Sequence, residues 1–427
     1  MPRHLTEVAV VGAGAAGLLA ARELARAGKR VTVFEARERC GGRIWALPSE
    51  EFGYPAEGGA EFVHGAAPVT RAVMRDAGLA IERRAGRRWS TRTGAMSPDE
   101  APVPHMEQFY RALAAVEADL PIAAFLDRHF AGQEYDALRR SVTRTVEGYD
   151  AADPQRASTL AIRDEWLARD DGEHGRVAGG YGALIAYLAE DSRRHGAAIH
   201  CGAAAVALIE ESDGIALRCC DGAVFAADAA ILTLPPPLLR DLALPEMAHR
   251  LAAAAASDIG YGNVVKLLLR FRSCWWADQR GQDLSDLSFL ISDAAVPTWW
   301  TQYPARNPVL TGWYAGPKAD QVASLGEAEL VEMGLGSLAA IFALPVERLR
   351  AELLAARAIN WGNDPFARGA YTYATPETRA VQTALAATER PILFSGEAFY
   401  AGTDMGTVEA ALASGRETAR KLLGSCS

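Results

Sequence analysis

No apolar run in the 427-residue chain approaches the roughly 18 residues that a membrane-spanning helix needs, so no membrane span is expected. The first strand-like run starts at Val8, which leaves no room for a signal peptide. Cysteine is sparse. The six present have neither metal-ligand spacing nor a secretory context, which reads as reduced thiols in a cytoplasmic protein. Adjacent Cys219 and Cys220 read as packing residues alternating across a strand. A basic stripe is also missing, and a net charge of −9 denies nucleic acid the phosphate neutralisation it requires. The arginine cluster Arg83, Arg84, Arg87, Arg88 reads as a solvated loop, with a docking patch as the alternative. There is no G-x-S-x-G elbow, P-loop, H-E-x-x-H or internal repeat, and the eight histidines are scattered.

Half the residues are apolar and about a quarter charged, a globular balance, and the length suggests two or three domains. The stretch VVGAGAAG, residues 10 to 17, places Gly12, Gly14 and Gly17 between an apolar run and a helix-like LLAARELARAG. That spacing fits a strand turning into a helix against a pyrophosphate: Gly12 for the turn, Gly14 for close approach and Gly17 for helix packing. The helix N-terminus then offers N–H groups to phosphate. Gly28 stops the helix, and a second strand ends in Glu35, where a carboxylate can accept ribose hydroxyls. Glu35 favours NAD or FAD over NADP without separating the first two.

Further along, GGR at 41–43 and YPAEGGAEFVHG form two glycine clusters. Residues 69–181 read as mainly helical. A hairpin is expected from Ile215–Cys220 with Val224–Ala227 across a DG turn. Ala229–Leu234 reads as a buried strand, GNVVKLLLRF, PTWWTQYP and VLTGWYAG as strands of a second sheet, and the C-terminal helix as starting near Gly406. The expected class is α/β with mixed α+β character: a Rossmann-like dinucleotide domain of residues 1–68, 182–256 and 357–427, and a substrate domain of residues 69–181 and 257–356.

Six motifs in order, GAGAAG with Glu35, GGR, EGGAEFVHG, GNVVK, the segment Trp361–Tyr371, and FSGE…MGTVEAALASG, resemble the flavin-containing amine oxidases over nearly the full length. That group includes monoamine, polyamine and L-amino-acid oxidases. The resemblance implies FAD. Glu35 takes the adenosine ribose, Val206 the adenine, Arg43 the pyrophosphate or flavin edge, Glu397 the ribityl chain and Val408 the flavin pyrimidine. Ala16, Ala36, Gly42, Trp361, Gly396 and Thr407 lie along the same cofactor. Monoamine oxidases carry a flavin-linked cysteine just before the Tyr371 position; Ala370 stands there, which implies noncovalent FAD.

The same resemblance makes Lys266 the lysine that holds a water near flavin N5, and Tyr371 one wall of an aromatic cage. Thr407 occupies the place of the second wall, for which Trp361, Phe399 and Tyr400 are candidates or else packing aromatics. His64 matches a histidine bordering the site in polyamine oxidases, or is structural. Glu57 and Glu61 either meet substrate ammonium groups or cap backbone; Glu165 suits a second positive charge, or is solvated. The implied activity is oxidation of a primary or secondary amine to an imine, with oxygen or another acceptor taking the electrons. L-amino-acid oxidation, desaturation on the same fold, or a catalytically lapsed flavin scaffold are the alternatives. No motif encodes the identity of the amine or an oligomeric state.

Overall fold

The computed structural model describes residues 5–92, 95–98, 102–168, 174–279 and 281–424; Cys426 lies outside them. The opening apolar run forms the strand Glu7–Val11, central in a five-stranded parallel sheet. The strand order is Ile392–Phe394, Ala229–Leu232, Glu7–Val11, Arg30–Phe34, Ala198–His200. Parallel strands covered on both faces read as continuous apolar residues, and Ala229–Leu232 is buried at every position. On one face pack the helices Ala15–Arg26, Tyr181–Arg194 and Val408–Leu423. On the other, the hairpin Gly214–Cys219 with Val224–Ala227 joins the helices Glu246–Asp258 and Thr378–Ala386 in a second apolar layer. The first and last of the helices touch backbone to backbone: a Cβ on Gly415 would lie 2.3 Å from the Ala16 carbonyl oxygen. The two ends of the chain therefore build one unit.

A seven-stranded mixed sheet forms the second layer, in the order Leu353–Asn360, Val264–Phe271, Val309–Ala315, Thr298–Trp300, Leu287–Ser292, Arg87–Arg92, Ala95–Pro98. Alternation sorts its long strand into two faces. Val265, Leu267, Leu269 and Phe271 pack with Leu330, Leu335 and Leu338 of the helix Glu327–Phe342. Val264 and Leu268 turn the other way, toward Leu47, Ala56 and Trp361, and Lys266 sits between them on that face. Four helices, Met106–Ala114, Ile122–His129, Asp136–Gly148 and Thr159–Leu167, close around Phe109, Phe125, Phe130 and Val142.

Two sequence expectations change, while residues 69–181 remain mainly helical. Residues 69–181 hold, besides helices, the strands Ile81–Arg83, Arg87–Arg92, Ala95–Pro98 and Gly175–Val177. Arg83, Arg87 and Arg88 thus lie on strands with exposed side chains, not in a loop. Arg87–Arg92 is a strand because it pairs on one side with the neighbouring Ala95–Pro98 and on the other with Leu287–Ser292, far along the chain. The boundary drawn between residues 356 and 357 falls inside the strand Leu353–Asn360, which is hydrogen-bonded along its length to Val264–Phe271. The expected hairpin forms with Ile215 opposite Ala227, and Cys219 is buried while Cys220 is exposed. Among the described residues no single helix is long and apolar enough to cross a membrane.

Candidate functional site

A cavity of about 1650 Å³ is lined by the ends of the parallel strands, the inner face of the mixed sheet and the helical segment. At one end lie Gly12, Gly14 and Ala16, with Glu35 and Ala36 beyond the second strand and Val206 beside them. Gly14 faces open space: a Cβ there would meet no atom within 4 Å, so its lack of a side chain leaves room for a ligand at the N-terminus of Ala15–Arg26. Gly17 does not line the cavity. It lies where a Cβ would come within 2.0 Å of the Gly12 carbonyl oxygen, which is the helix-packing role read from the motif. The buried Glu35 carboxylate accepts from the backbone N–H of Ala13 at 2.8 Å and of Arg37 at 2.9 Å, leaving lone pairs for hydroxyl donors. The Val206 carbonyl accepts from Ala243 N–H at 3.1 Å. An anionic, hydroxyl-rich dinucleotide fits this end.

The middle of the cavity is where the chain ends meet. Arg43 donates to Glu397 at 2.6 Å and to the Ala370 carbonyl at 2.8 Å, and the Thr372 hydroxyl donates to the other Glu397 oxygen. Gly42, Gly396 and Val408 line the wall alongside. Thr407 is the N-cap of Val408–Leu423, its hydroxyl accepting from Ala410 N–H at 3.1 Å. The residue that stands where an aromatic was sought has a capping function instead.

Lys266 is fully buried. Its Nζ donates to the Gly59 carbonyl at 3.0 Å and to Glu61 at 2.9 Å. Glu61 also accepts from Arg176 at 2.8 Å, from the Trp300 indole at 3.0 Å and from Gln302 at 3.1 Å. Burial opposes ionisation of Glu61, but Lys266 and Arg176 outweigh it and hold its carboxyl down at about 2. Glu57 behaves differently. It accepts from Gly182 N–H at 3.3 Å at the start of Tyr181–Arg194, and burial pushes it up to about 7, Lys266 and that N–H opposing. Of the two carboxylates considered for substrate ammonium groups, Glu57 caps a helix and Glu61 is committed to Lys266 and its neighbours.

Strand register supplies aromatics that spacing did not reveal. Trp313 lies directly opposite Lys266, and Trp300 follows on the next strand. The two rings are 5.7 Å apart, and Trp300 lies 5.5 Å from Lys266 Nζ. Trp313 in turn stacks on Tyr371 at 6.4 Å and 23°. Both tryptophans and Tyr371 line the cavity, whereas Phe399 and Tyr400 do not. Trp361 lines it while donating to the Gly58 carbonyl at 3.2 Å. The ring facing Tyr371 is therefore Trp313. The Tyr371 hydroxyl donates to the Tyr149 carbonyl at 2.7 Å, and burial, with Asp150 nearby, pushes its phenol well above its ordinary value. His64 lines the same stretch, its ring edge-on to Tyr149 at 5.7 Å and to His174 at 5.6 Å.

Beyond Tyr371 the lining turns acidic, with Asp150, Glu165 and Asp404. Burial pushes Asp150 well up, with Glu165 adding to it; burial and then Asp404 bring Glu165 to about 7. Asp150 Oδ2 is buried and has no hydrogen-bond partner among the described residues. A cation arriving here would relieve the repulsion and ionise the group. Five cysteines are described, and none lines the cavity.

The family model described as flavin containing amine oxidoreductase matches residues 15–423. Among curated proteins the chain is similar to polyamine oxidase 5 of Oryza sativa subsp. japonica, 28% identical over 86% of this chain and 77% of the relative. Polyamine oxidase 4 of the same plant is 27% identical over 97% and 89%. Among solved structures it resembles a putrescine oxidase bound to putrescine, with a TM-score of 0.80 at 20% identity, covering 99% of this chain and 100% of that one. Cyclohexylamine oxidase from Brevibacterium oxydans IH-35A gives a TM-score of 0.80 at 19% identity over 99% of each chain.

Proposed function

The chain belongs to the flavin-containing amine oxidoreductases, an FAD-dependent family acting on amines, and from that premise we propose that its substrate is a diamine or polyamine. The amine is oxidised at the carbon next to nitrogen, the imine hydrolyses to a carbonyl compound, and oxygen is reduced to hydrogen peroxide. One observation carries the reading: a single cavity sets Lys266 and the rings of Trp300, Trp313 and Tyr371 in series, with Asp150 and Glu165 past the last ring. The polyamine oxidases among the relatives support it.

Bound FAD supplies the hydride acceptor, which no side chain can. Trp313 and Tyr371 give an apolar wall along which a slim alkyl chain lies, and they keep bulk water from the reacting carbon. That wall favours the uncharged form of the reacting nitrogen, the form that gives up hydride. His64, bordering the wall, holds or takes the proton the nitrogen loses. Asp150 and Glu165 receive the distal ammonium and fix the register of the chain. With Ala370 at the position before Tyr371 and no cysteine among the described residues in the cavity lining, the flavin is held noncovalently, so denaturation should release it free.

The test is anaerobic mixing of the purified flavoprotein with monoamines, diamines, polyamines and amino acids. Diamines or polyamines should bleach the flavin at the lowest concentrations. Bleaching by amino acids alone would transfer the assignment to amino-acid oxidation, and bleaching by nothing would leave a flavin-binding scaffold.

A further inference from the structure

We propose that Glu61 is a positioning residue for amine oxidation: its carboxylate fixes where the Lys266 Nζ sits in the cavity and how the Trp300 indole lies beside it. The proposal rests on the reading of the cavity given above.

Lys266 lies in the middle of a strand whose neighbours are apolar, and its side chain is 1% exposed. An ammonium so placed is strongly disfavoured unless it is paired and hydrogen-bonded. Of its three N–H donors, Glu61 takes one and the Gly59 carbonyl a second, leaving a third for the cavity that Lys266 lines. Glu61 cannot swing away. A carboxylate offers about four lone-pair sites, and Lys266, Arg176, Trp300 and Gln302 between them engage both oxygens. Arg176 is itself braced by the Thr301 carbonyl at 2.9 Å and lies over the Phe62 ring at 4.6 Å. The same carboxylate orients the Trp300 indole, which lies beside Lys266 and begins the aromatic wall. One acidic side chain thus positions both the lysine nitrogen and the first ring of the wall. A salt bridge serving only to hold the loop 57–61 to the sheet would not need the indole bond.

The experiment exploits composition: the chain has four lysines, Lys29, Lys266, Lys318 and Lys421. Protein labelled with ¹³C at lysine Cε should give few signals, and Lys266→Met identifies the one of interest. In Glu61→Gln the Lys266 signal should move from its wild-type position, since the group that holds the Nζ has lost its charge. The other three signals should stay. Flavin reduction by amine should slow about 10- to 100-fold in Glu61→Gln, as when one oriented charge is lost near a reacting centre, with KM little changed. Glu61→Asp, charged but one methylene shorter, should recover part of the rate and bring the Lys266 signal part of the way back. An unmoved Lys266 signal in Glu61→Gln would overturn the proposal. If that variant does not fold, Glu61→Asp reacting at the wild-type rate with an unaltered Lys266 signal would overturn it as well. Should no amine reduce the flavin in any variant, the amine reading fails, while the lysine signal still decides on Glu61's hold over Lys266.

Discussion

The two ends of the cavity are built by different means. The dinucleotide end is made of backbone: a glycine with open space where its side chain would be, a helix N-terminus, and one carboxylate tied to two main-chain N–H groups. The proposed amine end is made of side chains converging from distant strands: Lys266, Trp300 and Trp313 from the mixed sheet, Tyr371 from a separate two-stranded sheet with Gly260–Gly262, and Asp150 and Glu165 from the helical segment. Backbone recognition is fixed by local sequence and tolerates almost no side chain. Side-chain recognition is fixed by register and can be retuned one residue at a time.

That difference can be broken at either end, and the largest effect should come from the backbone end. Gly14→Glu adds a side chain to an open position, where it occupies the ligand's space and repels phosphate. The protein should fold with a melting temperature close to that of the wild-type apoprotein, yet carry no flavin absorbance. Retained flavin would show that the loop is not the phosphate cradle. Lys266→Met comes next: rapid-mixing spectroscopy should show flavin reduction or its reoxidation by oxygen slowed by about 100-fold or more, and unchanged rates in both half-reactions would reject its role. Trp313→Leu removes one ring of the wall, and kcat/KM for mono- and diamines alike should fall roughly 10-fold, the scale of an aromatic pair. Steady-state kinetics check this against Phe399→Leu, which alters a ring outside the cavity lining and should spare specificity. The smallest effect is a pH dependence. Glu165 is raised to about 7, so its negative charge is present above that value and lost below it. Half-saturation by a diamine should therefore fall between about pH 6 and pH 8, while the distal ammonium stays charged throughout. A flat profile would place the second cation elsewhere.

How much of this was legible in the sequence follows the same division. Gly12, Gly14, Gly17 and Glu35 lie within one strand–helix–strand unit, so their spacing carried the local fold. Lys266 stood out because period-two alternation puts a charge on an inner face. Trp313 did not, because its place opposite Lys266 depends on pairing between strands some 50 residues apart in the chain, and nothing in VLTGWYAG marks which face is inward. Thr407 looked like a missing wall but is a helix cap, a role that depends on where the helix starts. Glu61 and Glu57, four residues apart, were indistinguishable by composition; one faces the Lys266 ammonium and the other a helix N-terminus. Arg83 lies on a strand paired with Gly175–Val177, and Arg87 and Arg88 on one paired with both Ala95–Pro98 and Leu287–Ser292; a run of charges without apolar alternation hides these pairings.

The central claim, that one cavity oxidises an amine while holding a second cation beyond the aromatic wall, is tested most directly by anaerobic reduction of the bound flavin. The comparison is a diamine against the monoamine of equal chain length, in wild type and in Asp150→Asn/Glu165→Gln. The account predicts that the diamine's advantage in half-saturation, about 10- to 100-fold for a charge-assisted contact, collapses in the double variant while the monoamine is unaffected. Equal half-saturation by the two amines in the wild-type protein would contradict it.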